Sequence, residues 1–243
     1  MNPGPNRKSK FEIRKFLPLL RPPNLFTVPG DPLCGALLAS HGAWSWRILP
    51  PVIVSLASYC AGLLINDLAD FSEDLRDRPD RPLPSGAVSR RAATALALFF
   101  IVVALAAAAW VNTALLILAG LLLAEILWYN LLAKKNALFA PIAMGICRGL
   151  SLLIGAAAIG PPPTLALGAA ALVSFYIAGV TALARTEMRD PRIPPLIGAL
   201  IRGLLFLQAG FCLLAGGAGW LAALLLLALW PVSRLVASHF YAS

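Results

Sequence analysis

Apolar runs of about 20 residues recur along this chain, and a run of that length crosses a bilayer as a helix. Composition agrees: 59% of the 243 residues are hydrophobic and only 13% charged, with a mean hydropathy of +0.80. Inside a bilayer every backbone polar group must be satisfied within the protein, so a spanning segment is a helix or part of a closed barrel. The runs lack the alternation of barrel strands. The expected fold is all-α, a polytopic membrane bundle of about eight helices, or nine if one long segment is split. It forms a single domain over residues 16–243 behind a basic tail, 1–15. That tail lacks the apolar core and cleavage site of a secretory signal.

Proline and glycine mark the span limits. Arg21-Pro22-Pro23-Asn24 opens a first span over 25–40, in which Asp31-Pro32 is an oddity. The second runs from about residue 48 into a cluster of acids. Residues 78–89 hold three prolines and Gly86, and read as a loop. Further spans are expected over 91–111, 112–132, 138–159, 165–183, 195–215 and 220–240, the last with Pro231 as a kink. The bundle has no evident internal repeat.

The net charge of +9 does not imply a nucleic-acid partner, because basic residues of membrane proteins collect in cytoplasmic segments. With the N-terminus placed inside, seventeen of the twenty Lys and Arg residues fall on the cytoplasmic side, and only Arg47 lies in an outer loop. Arg148 and Arg202 fall within spans. Cys34, Cys60, Cys147 and Cys212 have no paired metal spacing and read as small buried hydrophobes. Neither His41 nor His239 has company for a metal. Trp44, Trp46, Trp110 and Asn112 read as membrane-interface residues. Glu125 has two readings, pairing with a base or facing a cavity.

Six of the eleven carboxylates lie between Asp67 and Asp80, directly after an apolar run. Acids at a hydrocarbon boundary are costly and mark function. On a helix, Asn66, Asp70 and Asp74 step by four and share a face with Asp67 and Asp77. Like charges so stacked repel unless cations stand between them. Alternating Asn and Asp oxygens suit Mg²⁺. Arg78 and Arg81 nearby, with Lys134, Lys135 and Arg148 farther along, suit a diphosphate. A diphosphate beside a large apolar bundle points to an isoprenoid diphosphate, with its head on the metal and its tail among the helices.

Asn66-Asp67-Leu68-Ala69-Asp70-Phe71-Ser72-Glu73-Asp74, followed by Arg81-Pro82-Leu83-Pro84-Ser85-Gly86, resembles the first signature of the UbiA superfamily of intramembrane prenyltransferases. Arg21-Pro22-Pro23-Asn24 with Gly30 resembles the family's first-helix pattern. The resemblance implies a helical bundle with a Mg²⁺-dependent site facing the cytoplasm and a cavity open sideways to lipid. It implies that Asn66, Asp70 and Asp74 hold Mg²⁺, supported by Asp67. The implied activity is transfer of a prenyl group from an isoprenoid diphosphate to a small cyclic or lipid acceptor. The implied place is an integral multi-pass protein of a bacterial inner membrane.

Two departures stand out. The family's Tyr-x-x-x-Lys becomes Tyr129 and Lys134, one residue farther apart, with Lys135 beside it. The family's second acidic signature, DxxxD, is absent. In its place stand Arg185, Glu187, Arg189 and Asp190, a segment similar to that of short, divergent members such as the EboC group. Three readings follow. Arg185, with Arg189, contacts the diphosphate in place of a second metal. Alternatively, Glu187 and Asp190 form a shifted metal site. Or the scaffold serves a non-catalytic carrier or accessory protein for an isoprenoid or aromatic metabolite. A fourth class, phosphatidyl-transferring membrane enzymes, needs a DGxxAR core that this chain lacks.

Overall fold

A computed structural model describes residues 17–21, 25–186 and 192–239. Among them there is no strand. The helices are α1 (Gly30–Ala39), α2 (Leu49–Ala69), α3 (Phe71–Asp77), α4 (Arg90–Val111), α5 (Thr113–Trp128), α6 (Phe139–Ile159), α7 (Thr164–Ala184), α8 (Ile193–Leu214) and α9 (Gly219–His239). Among the described residues, seven helices are long and apolar enough to cross a membrane: Trp46–Ala69, Arg90–Val111, Thr113–Ala133, Phe139–Ile159, Thr164–Ala184, Ile193–Leu214 and Gly219–Val236. They correspond to the second through eighth expected spans.

The first segment differs. Its helix, α1, has ten residues, about 15 Å at 1.5 Å per residue, or half the hydrocarbon thickness. Pro29 caps its start, and left-handed backbone at His41 (φ 51°) and Gly42 (φ 75°) follows its end. The Asp31-Pro32 oddity is this helix's first turn, where a carboxylate complements the helix dipole.

Local chemistry sets the other ends. Ser89 caps α4 by accepting from Ala92 N at 3.2 Å. Asn112 caps α5 by accepting from Leu115 N at 2.7 Å, and its amide donates to Ala157 O of α6 at 2.9 Å. This side chain joins two helices, a role beyond that of an interface residue.

Small residues make the close contacts. The buried face of α4 is Ala93, Ala97, Ala104 and Ala108, and it lies on α2. Its other face, with Leu98, Phe99 and Val102, is exposed, as lipid contact demands. Where α1 crosses α6 the backbones nearly touch. A Cβ on Gly35 would lie 1.9 Å from Leu152 O, and one on Gly155 would lie 1.9 Å from Pro32 O. This crossing brings Asp31 of α1 to Arg148 of α6. A separate apolar cluster of Leu19, Leu64, Leu83, Val88 and Ala93 anchors the loop after the acids.

Alanine is the better helix former, yet Gly155→Ala is expected to lower the unfolding temperature, because the added methyl meets backbone. The cost expected is about 1–3 kcal/mol. Gly120 has nothing within 4 Å of its would-be Cβ, so Gly120→Ala should stabilise by about 0.5–1 kcal/mol. Thermal unfolding of the two variants in one detergent checks both signs.

Candidate active site

The acidic segment continues α2 as a nearly unbroken helix into α3. Asp70 N donates to Asn66 O (2.9 Å), Asp74 N to Asp70 O (2.8 Å) and Arg78 N to Asp74 O (2.8 Å). Asn66, Asp70 and Asp74 therefore follow one another along one face. Asp67 and Asp74 are buried and Asp70 half-buried, so their charges cannot rest on water alone.

Each of these three carboxylates meets a different cation. Arg21 Nη2 lies 3.7 Å from Asp67 Oδ1. Lys134 Nζ pairs with Asp70 Oδ1. Arg81 Nη1 donates to Asp74 Oδ2 at 2.8 Å. Farther out, Lys135 lies 3.4 Å from Glu73, with both side chains largely exposed. Arg78 is exposed at the end of α3.

Lys134 reaches Asp70 through an unusual turn. Residues Tyr129–Ala133 form a π-helix, closed by Lys134 N donating to Tyr129 O at 2.9 Å. A π-turn spends five residues where an α-turn spends four. The extra residue between Tyr129 and Lys134 is absorbed, and the lysine still faces the acids.

Arg148 and Arg185 stand apart from the acids. Arg148 Nε lies 2.7 Å from Asp31 Oδ2, and its Nη2 donates to Thr27 O at 2.9 Å. Gln208 Nε2 of α8 donates to Asp31 Oδ1 (2.7 Å) and Thr27 O (2.8 Å). Arg185 Nη1 donates to Lys134 O (3.0 Å) and its Nη2 to Lys135 O (3.3 Å). It thus fixes the turn that carries Lys134. Glu187, Arg189 and Asp190 lie outside the described residues. Among the described residues Glu125 makes no ion pair, and its Oε1 is buried without a hydrogen-bond partner.

A cavity of about 180 Å³ opens beside Asn66, and Arg21, Tyr129, Asn130, Met144 and Arg148 are among its lining residues. It continues to Ser55 and Ser151. Eleven residues of helix separate Ser55 from Asn66, about 16 Å of depth. Arg21 was legible only as part of an Arg-Pro-Pro pattern. It sits in left-handed backbone at φ 44°, a conformation costing a non-glycine residue about 1–2 kcal/mol, and it both lines the cavity and meets Asp67. Asp31 and Gln208 carried no spacing signal toward Arg148, since three separate helices bring them together.

Among the described residues no three Asp, Glu, His or Cys side chains lie close enough to cage a metal. The donors that the ladder offers are nonetheless all oxygen: the Asn66 amide, on the cavity wall, and the Asp70 and Asp74 carboxylates along the same face. That fits Mg²⁺ bound in its usual manner, through one or two carboxylates, waters and substrate phosphates.

Residues 32–193 match the UbiA prenyltransferase family. The digeranylgeranylglyceryl phosphate synthase of Methanopyrus kandleri is 32% identical over 179 residues, 73% of this chain and 63% of that relative. The chain therefore spans less than two thirds of its length. A UbiA homolog from Aeropyrum pernix shares the fold, with TM-score 0.58 and 24% identity over 87% of this chain and 88% of that one. So does a UbiA homolog from Archaeoglobus fulgidus bound to GPP and Mg²⁺, with TM-score 0.61 and 18% identity over 93% of this chain and 87% of that one.

Removing one partner of a buried ion pair leaves the other charge unpaired, at a cost of about 3–5 kcal/mol. Asp31→Ala is expected to destabilise the bundle by that amount. Asp31→Leu combined with Arg148→Leu should recover much of it. Chemical denaturation of the two variants beside wild type measures the difference.

Proposed function

The chain belongs to the UbiA prenyltransferase family, and on that premise we propose that it transfers a prenyl group, with Mg²⁺, from an isoprenoid diphosphate to a small cyclic or lipid acceptor within the membrane. One observation carries this reading: Asn66, the first rung of the ladder Asn66, Asp70 and Asp74, lines a cavity within the bundle, and each of Asp67, Asp70 and Asp74 is matched by its own Lys or Arg.

The pairs suit an exchange of partners. Mg²⁺ held by Asn66, Asp70 and Asp74 would draw charge from the leaving diphosphate and ease rupture of the carbon–oxygen bond. Lys134 and Arg81, which pair with Asp70 and Asp74, would donate to the diphosphate oxygens, with Arg21 on the cavity wall and Arg78 at the end of α3 as further cations. Arg185 acts through the backbone of Lys134 and Lys135, holding that lysine in place. Lys135 adds charge at the rim. Arg148, deeper and matched by Asp31, supplies hydrogen-bond donors to the cavity wall. Arg189 would join the cations and Glu187 and Asp190 the metal side. The archaeal relative's name favours a glyceryl phosphate lipid among possible acceptors.

The fit is tested with purified full chain, geranyl diphosphate and Mg²⁺, following diphosphate release. Asp70→Ala and Asp74→Ala are each expected to reduce release by about 100-fold or more, and chelation by EDTA should do the same. Tight binding without release by the folded wild-type protein would favour the carrier reading. Release unaffected by either substitution would overturn the site.

We infer that the mouth of the cavity faces the cytoplasm, because seventeen of the twenty basic residues then lie inside. A bacterial inner membrane is one setting; archaeal relatives make an archaeal membrane another. A reporter fused after Ser243 should be active only in the cytoplasm, and one inserted in the loop at Ala43 only outside. The reverse pattern would invert the topology.

A further inference from the structure

Below its charged mouth the cavity becomes polar again, deep in the bundle. Helices α2 and α6 run antiparallel, since Lys134, just ahead of α6, meets Asp70 at the end of α2. Within the bundle Ser55 of α2 and Ser151 of α6 share a hydrogen bond of 2.6 Å. One turn nearer the mouth stand Ser58 on α2 and Arg148 on α6. Each is three residues from its helix's member of that pair and so lies on the same face. All four line the cavity, which places Ser58 and Arg148 at one level on facing helices.

Neither is fully satisfied by the protein. Ser58 is completely buried and its Oγ has no hydrogen-bond partner. A serine within a helix ordinarily bonds back to its own backbone, as Ser174 does to Ala170 O at 2.8 Å. Ser58 does not. Arg148 Nη2 donates to Thr27 O, while its Nε, 2.7 Å from Asp31 Oδ2, makes an ion pair without a hydrogen bond. Asp31 cancels its charge, yet among the described residues no partner takes Nη1, and Arg148 lines the cavity. Around this level the wall is apolar, with Leu122, Ile126 and Met144.

We propose that Ser58 and Arg148 form a subsite for a neutral oxygen of the ligand, a hydroxyl or carbonyl group. It sits eight residues of helix below Asn66, about 12 Å from the reacting end. An ionised group there would find no net positive charge and would lose its hydration. A hydroxyl would give Ser58 its missing partner and accept from Arg148. The inference rests on the prenyl-transfer reading only for which end of the cavity reacts. The oxygen belongs either to the acceptor or to the far end of the prenyl tail.

The test compares geranyl diphosphate with its 8-hydroxy and 8-carboxy derivatives, by calorimetry on the full chain in nanodiscs with Mg²⁺. The 8-hydroxy compound is expected to bind about 5–10-fold tighter than the parent, as one net hydrogen bond allows, and the 8-carboxy compound more weakly. Ser58→Ala removes an unmet hydroxyl, so it should unfold no earlier than wild type, and its preference for the hydroxy compound should fall to about 2–3-fold, the part left to Arg148. Equal affinities in wild type, or a hydroxyl preference undiminished in Ser58→Ala, would overturn the subsite. Stabilisation by decan-1-ol over decane with geranyl diphosphate already bound assigns the oxygen to the acceptor; mutual exclusion assigns it to the tail. If geranyl diphosphate does not bind at all, the prenyl-transfer reading fails. The alcohol and alkane alone then decide the subsite: a preference for decan-1-ol weakened in Ser58→Ala sustains it, and no preference, or one unchanged by Ser58→Ala, sinks it.

Discussion

Charge neutralisation at and below the membrane boundary is the constraint on which this structure depends. A carboxylate carried toward hydrocarbon must find a cation or give up its charge. Asp31 finds Arg148, Asp67 finds Arg21, Asp70 finds Lys134 and Asp74 finds Arg81. The four pairs do different work. Asp31, fully buried, and the half-buried Arg148 tie α1 to α6, with Gln208 adding α8. The other three join Asp67 and Asp70 at the end of α2 and Asp74 on α3 to Arg21, Lys134 and Arg81, next to the cavity wall at Asn66 and Arg21. One chemical rule thus yields a structural clamp at depth and, on the proposed reading, an exchangeable set nearer the surface.

The helices themselves follow from a second constraint, the need for backbones to approach closely where no water drives them together. The alanine face of α4 and the paired glycines of α1 and α6 meet it. Because the α1–α6 crossing fixes where Asp31 meets Arg148, the packing and the charge network are one arrangement.

Much of this was legible in the sequence, for physical reasons that differ by feature. Seven spans were readable because apolar length is a property of contiguous residues. The helical spacing of Asn66, Asp70 and Asp74 was readable because four residues is one turn. The short α1 was not, because its length is set by Pro29 and by the left-handed residues after Ala39, not by hydropathy. Nor were the partners of Arg148 and Arg185. From sequence each arginine is a cation in search of an anion, and only the fold reveals that Asp31 and two backbone carbonyls reach them first.

The π-turn before Lys134 bears on how related chains are compared. A motif written as a fixed count of residues assumes that the chain advances by the same angle at every step. Between Tyr129 and Lys134 it does not, and a search for tyrosine and lysine four apart passes over this chain although its lysine meets Asp70. What the chemistry at such a position requires is a direction in space. A gap of one residue, scored by an alignment as the loss of a motif, can instead mark the place where the helix changed its pitch to keep it.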